Sequence, residues 1–200
     1  MSMYKWILVA VLCILTFAGG YMFADVQKNA NLKALYQGDS EIQKELLLGN
    51  MSMTYAYSNY RFPDFPLMDR DGKEMFFSHL MEKEKKLVFR ISSNNCSSCI
   101  DFTVGYLKSI LNVIPRDKIV VIVEGNGKRE LKAFADSLHL ELPLYYIVGY
   151  AFQGFLDKEN LPFFFMSSSE LKVEDLFIPI KEIPEHTEFY FLAISKKYFL

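Results

Sequence analysis

Ile119 to Val123 reads IVVIV, five apolar β-branched residues without interruption. A run that apolar and that short fits a strand buried on both faces, and such a strand needs covering layers above and below. The flanking sequence supplies them. Leu87 to Ser92 (LVFRIS) is rich in strand formers. From Cys99 to Asn112 the apolar residues Ile100, Val104, Leu107, Ile110 and Leu111 recur at helical spacing. Lys128 to His139 repeats that pattern with Leu131, Phe134, Ala135 and Leu138, and Leu144 to Val148 is again apolar. Strand–helix–strand–helix–strand order predicts an α/β sheet. Pro162 to Ser167 and Val173 to Ile180 follow without an intervening helical pattern, so an antiparallel edge and a mixed sheet are expected. Thr187 to Tyr198 is aromatic enough to read as either helix or strand. With 51% hydrophobic and 23% charged residues, a largely disordered chain is excluded.

The N-terminus has a different character. Trp6 to Phe23 runs 18 residues without a charge, about 27 Å as a helix, against a hydrocarbon core of about 30 Å. Lys5 precedes the run and Asp25 follows it, a bias that puts the remainder on the far side of the membrane. An uncleaved single-pass anchor is the first reading, and export with cleavage near Ala18-Gly19-Gly20 is the second. Both place the main domain in the periplasm or outside the cell, where disulfides form. The expected organisation is a transmembrane segment at 1–24, a helical stalk or linker at 25–59 and a domain at 60–200.

Lys plus Arg total 22 against 24 Asp plus Glu, which leaves no basic footprint for nucleic acid. Three cysteines are too few for a disulfide scaffold or a four-thiolate metal site; no metal and no cofactor are expected. The chemistry is concentrated in Cys96-Ser97-Ser98-Cys99, between a predicted strand and a predicted helix. A thiol at a helix N-terminus faces unpaired N–H groups and the positive dipole end, which favour thiolate. Cys96 therefore reads as the attacking thiol and Cys99, one turn in, as the resolving one. Asn95 supplies a capping side chain, and Ser97 and Ser98 are placed to donate to the Cys96 sulfur.

Residues from about Tyr60 onward resemble the thioredoxin superfamily, and within it the membrane-anchored branch typified by TlpA and ResA, related to the AhpC/TSA domain. Pro63-Asp64-Phe65-Pro66-Leu67 with Asp71-Gly72-Lys73 is similar to that branch's N-terminal hairpin. Leu87 to Cys99 is similar to its strand and redox helix, and Asn160-Leu161-Pro162-Phe163 to its cis-proline loop. The resemblance implies a thioredoxin-like mixed sheet flanked by helices, with an N-terminal hairpin. It also implies thiol–disulfide exchange on protein substrates and a membrane electron donor. Pro162 would then be cis and, with Leu161, hold an extended substrate chain. The departures are specific. Asn95 stands where tryptophan is usual, and the strand before the motif carries Arg90 where a buried acid would relay protons. Asp101 and Glu124 are the candidate substitutes for that relay, and Arg90 a candidate for favouring thiolate. The peroxiredoxin pattern is also incomplete, because Phe89 replaces its proline. The competing expectation is a non-catalytic binding or assembly module on the same fold, with a structural disulfide.

Overall fold

The computed structural model describes residues 40–82, 84–92, 94–124, 128–147 and 161–200. The chain divides into two units, 1–47 and 48–200; residues 40–47 of the first are helical. The uncharged run of residues 6–23 lies outside the described residues. Among the described residues no helix is long and apolar enough to cross a membrane.

In the second unit, helix α1 (48–57) leads into strands β1 (Pro66–Asp69) and β2 (Glu74–Phe76), helix α2 (Phe77–Met81) and strand β3 (Lys86–Ser92). Helix α3 (Ser97–Ser109), strand β4 (Ile119–Glu124), helix α4 (Lys128–Ser137) and strand β5 (Leu144–Ile147) follow. Strands β6 (Phe163–Ser167) and β7 (Glu174–Phe177) and helix α5 (Pro184–Tyr198) close the chain. The seven strands form one sheet in the order β2-β1-β5-β4-β3-β6-β7. Pairs β3–β4 and β4–β5 are parallel, and the others are antiparallel. The mixed sheet, its antiparallel closing edge and the N-terminal hairpin all match the expectation. At the hairpin turn, Gly72 takes a positive φ of 87° and the Asp69 carboxylate accepts from the backbone N–H groups of Asp71 and Lys73.

The apolar run in β4 is explained by the two faces it serves. Ile119, Val121 and Val123 join Leu87, Phe89 and Ile91 in one core, whereas Val120 and Ile122 join Val88 in the other. The first core is covered by α3, α4 and α5 through Ile100, Val104, Leu107, Ala135, Phe191 and Ile194. Successive parallel crossovers in one direction along a sheet keep one hand, and so place α3 and α4 on the same face. The second core is covered by Phe77 and Met81 of α2, by Phe62 and Phe65, and by Met53 and Tyr57 of α1.

The segment that could be helix or strand is the helix α5. Pro184 opens it, where a missing N–H costs nothing, and Glu185 and then Lys196 and Lys197 complement its dipole. Thr187, Phe191 and Ile194 fall inward at helical spacing.

Helix α1 is tied down by polar bonds. The buried Asn50 Nδ2 donates to the Ile178 carbonyl at 2.5 Å, and Thr54 Oγ1 donates to the Leu176 carbonyl at 3.1 Å. Replacing Asn50 with alanine leaves that carbonyl short of a donor. The expected cost is about 1–3 kcal/mol, read as a lowered urea midpoint at unchanged m-value.

Candidate active site at the start of helix α3

The loop after β3 is folded on itself before the motif begins. The Asn95 carboxamide oxygen accepts from the Ser92 N–H at 2.6 Å, the Asn95 N–H donates to the Ser92 carbonyl at 3.0 Å, and the Asn94 N–H donates to Ser92 Oγ at 3.2 Å. Asn95 thus anchors the turn that aims Cys96. Cys96 is the N-cap of α3 (φ −55°, ψ 123°), and its carbonyl accepts from the N–H groups of Cys99 and Ile100, each at 3.0 Å. The chain enters the helix with Cys96 exposed at its tip and Cys99 half-buried a turn further in. Both are free thiols.

This placement separates the two sulfurs chemically. Hydrogen bonds from the Cys99 side chain, from Ser98 and from the Cys99 backbone, with a smaller contribution from the Lys181 charge, bring the Cys96 thiol from 9.0 down to about 7. Burial, then the hydrogen bond to Cys96 and its charge, push Cys99 up to about 11. One sulfur is therefore half ionised near neutrality while the other stays protonated and donates to it. Alkylation of Cys96 by iodoacetamide is expected to rise through a half-maximum near pH 7. Cys99 is expected to stay unmodified over the same range, as read by mass spectrometry.

Lys181 is the site residue that sequence reasoning misses. It lies in the turn between β7 and α5, and its Nζ donates to Ser98 Oγ at 3.2 Å; Ser98 Oγ in turn lies 3.2 Å from Cys96 Sγ. Its neighbour Glu182 sits 3.8 Å from the same ammonium. Nothing local marks a lysine 83 residues from its partner.

The other candidates are distributed around this centre. Arg90 is 4% exposed and forms an ion pair with Glu124, itself 18% exposed; its Nη1 also donates to the Ile91 carbonyl at 2.8 Å. The relay candidate and the thiolate-tuning candidate are thus partners of one another, joining the ends of β3 and β4. Asp101 and Ser97 line a groove of about 370 Å³ between α3 and α4, with Lys108, Phe134 and His139. Among the described residues no group of three or more His, Cys, Asp or Glu is placed to hold a metal ion.

Pro162 is buried and Leu161 half-buried, just before β6. Because Phe163 pairs with Arg90, this segment lies beside the end of β3 that leads to Cys96. The expected cis bond is not there: no peptide bond among the described residues is cis. Trans is favoured by about 0.5–1 kcal/mol for an X–Pro bond, and a proline at the start of a strand fits without it.

Solved structures share this architecture, among them the following two. The crystal structure of the peroxidoxin BcpB from Mycobacterium tuberculosis superimposes with a TM-score of 0.50 at 14% identity, covering 70% of this chain and 97% of that one. The solution structure of an uncharacterized thioredoxin-like protein from Porphyromonas gingivalis gives 0.51 at 13% identity, covering 70% and 95%. The fold is thioredoxin-like. At such identities the likeness carries the fold and not the activity. No family model matches the sequence, and no curated protein does.

Proposed function

We propose that this chain is a thiol–disulfide oxidoreductase acting on protein disulfides, tethered by its N-terminal segment to the membrane and working on the extracytoplasmic side. The observation that carries the redox reading is the asymmetry of the two sulfurs: an exposed Cys96 near 7 and a half-buried Cys99 near 11 on one helix start. The tether rests on the uncharged run of residues 6–23, and a secreted, cleaved form is the other outcome of testing it.

The exchange follows from that asymmetry. Cys96 thiolate attacks a substrate disulfide; a mixed disulfide forms and the departing substrate sulfur takes up a proton. With Cys96 now in a covalent bond, its negative charge no longer opposes ionisation of Cys99. Cys99 then loses its proton and attacks the Cys96 sulfur. The second substrate thiol leaves, two electrons have passed to substrate, and Cys96–Cys99 is oxidised. A membrane dithiol donor would restore the pair.

The direct test is the reduction potential of the pair by equilibration with dithiothreitol. A Cys96 thiol near 7 stabilises the reduced form only moderately. The potential is therefore expected near thioredoxin's about −270 mV and not near about −120 mV, where thiolates of far lower pKa lie. A value well below about −300 mV would mark a structural bond and favour the binding module.

A further inference from the structure

Ser98 Oγ sits between two groups of opposite hydrogen-bonding character. A lysine ammonium has three donors and no acceptor, so the 3.2 Å contact with Lys181 Nζ uses a lone pair of the hydroxyl. A thiolate is an acceptor only, so the 3.2 Å contact with Cys96 Sγ, once the sulfur is ionised, needs the hydroxyl hydrogen. The two contacts therefore agree on one orientation of the hydroxyl, with the lysine behind and the sulfur in front. We propose that Lys181 is a positioning residue that acts through Ser98, holding its hydroxyl as a donor to the Cys96 thiolate. The turn between β7 and α5 thereby becomes part of the redox site.

The proposal deepens the oxidoreductase reading and rests on it for its effect on turnover, but the contact chain itself does not. The groups facing the Cys96 sulfur are Cys99 and Ser98 from α3 and Lys181 from the turn. Glu182, 3.8 Å from the same ammonium, opposes its charge. Lys181 is partly exposed, so solvent and salt reduce its field. An ordered hydroxyl passes the charge on through a short contact that salt does not enter.

The test is the pH profile of Cys96 alkylation by iodoacetamide in the full chain, with Cys96 and Cys99 distinguished by fragment masses. Lys181→Met is expected to move the half-maximum upward and to slow alkylation about two- to fivefold at pH 6, the range an exposed charge contact supplies. Lys181→Arg is expected to keep the wild-type profile. Ser98→Ala is expected to raise the half-maximum by itself, and adding Lys181→Met to it to move the profile by clearly less than Lys181→Met does alone, the remainder being the direct effect of the lysine charge. The melting temperature of each variant reports whether the fold is kept. Two results overturn the proposal: an unmoved profile in Lys181→Met, or an equally large Lys181 effect with and without the Ser98 hydroxyl. If the profile shifts as expected but the wild-type protein does not reduce disulfides, the oxidoreductase reading falls and the Lys181 assignment stands.

Discussion

Replacing Cys99 with serine is expected to convert this protein into a covalent trap for its own substrates. The exposed Cys96 remains in place and still attacks, its thiolate still favoured by Ser98 and by the backbone N–H of residue 99. The half-buried partner that should displace the product is gone, and a serine hydroxyl, far more basic as an alkoxide than a thiolate, does not resolve a disulfide. Mixed disulfides should accumulate on non-reducing gels and vanish with dithiothreitol. Cys96→Ser should remove both the adducts and disulfide reduction, because burial keeps the Cys99 thiol protonated and shielded. The roles are asymmetric, and so is the test. Adducts on Cys99 in the Cys96→Ser variant, or none in Cys99→Ser, would reverse or remove the assignment of attacker and resolver. Trapping should also fall as pH drops below 7, since protonation withdraws the nucleophile. A binding module with a structural disulfide would keep its partners and its biological activity in Cys96→Ser.

The second large effect concerns stability. Glu124→Leu is expected to destabilise the fold by about 3 kcal/mol, the lower end of the range for breaking a buried ion pair, because Glu124 keeps 18% exposure. The substitution removes one carboxylate from the buried Arg90 guanidinium, 4% exposed, and sets an apolar side chain beside it. Taking a carboxylate away from a buried cation costs more than the pair contributed, because the cation's desolvation is no longer offset to the same extent. Combining Arg90→Met with Glu124→Leu should recover part of that loss, because the cation is removed together with its carboxylate. The remaining cost includes the Ile91 carbonyl, which loses the Arg90 donor. Urea denaturation of the single and double variants gives the cycle. A double variant as unstable as Glu124→Leu alone would show that packing around the pair, and not its charge, sets the cost.

Much of this architecture is legible in the residue order. The run 119–123 predicts a strand buried on both faces, and β4 sits in the sheet with alternate residues in each core. The helical spacing after Cys99 predicts α3, and the motif's position after LVFRIS places Cys96 at its N-terminus. Those features are local: periodicity and capping act within a few residues, so a linear reading captures them. The aromatic C-terminal segment was ambiguous because Phe and Tyr serve both helices and strands. It is settled by the first core, into which Phe191 and Ile194 pack.

What the sequence determined by itself is the strand–helix order, the two-faced central strand and a pair of thiols at a helix start. The tertiary structure alone decided that Lys181 reaches Ser98 across 83 residues, that Arg90 and Glu124 are one ion pair, and that Cys99 is half-buried while Cys96 is not. It also set the Leu161–Pro162 bond as trans where the resemblance implied cis. The reason is common to all four. Charge partners, solvent exposure and the isomer of a proline bond depend on what packs against a residue from distant parts of the chain, and chain order does not encode that neighbourhood locally.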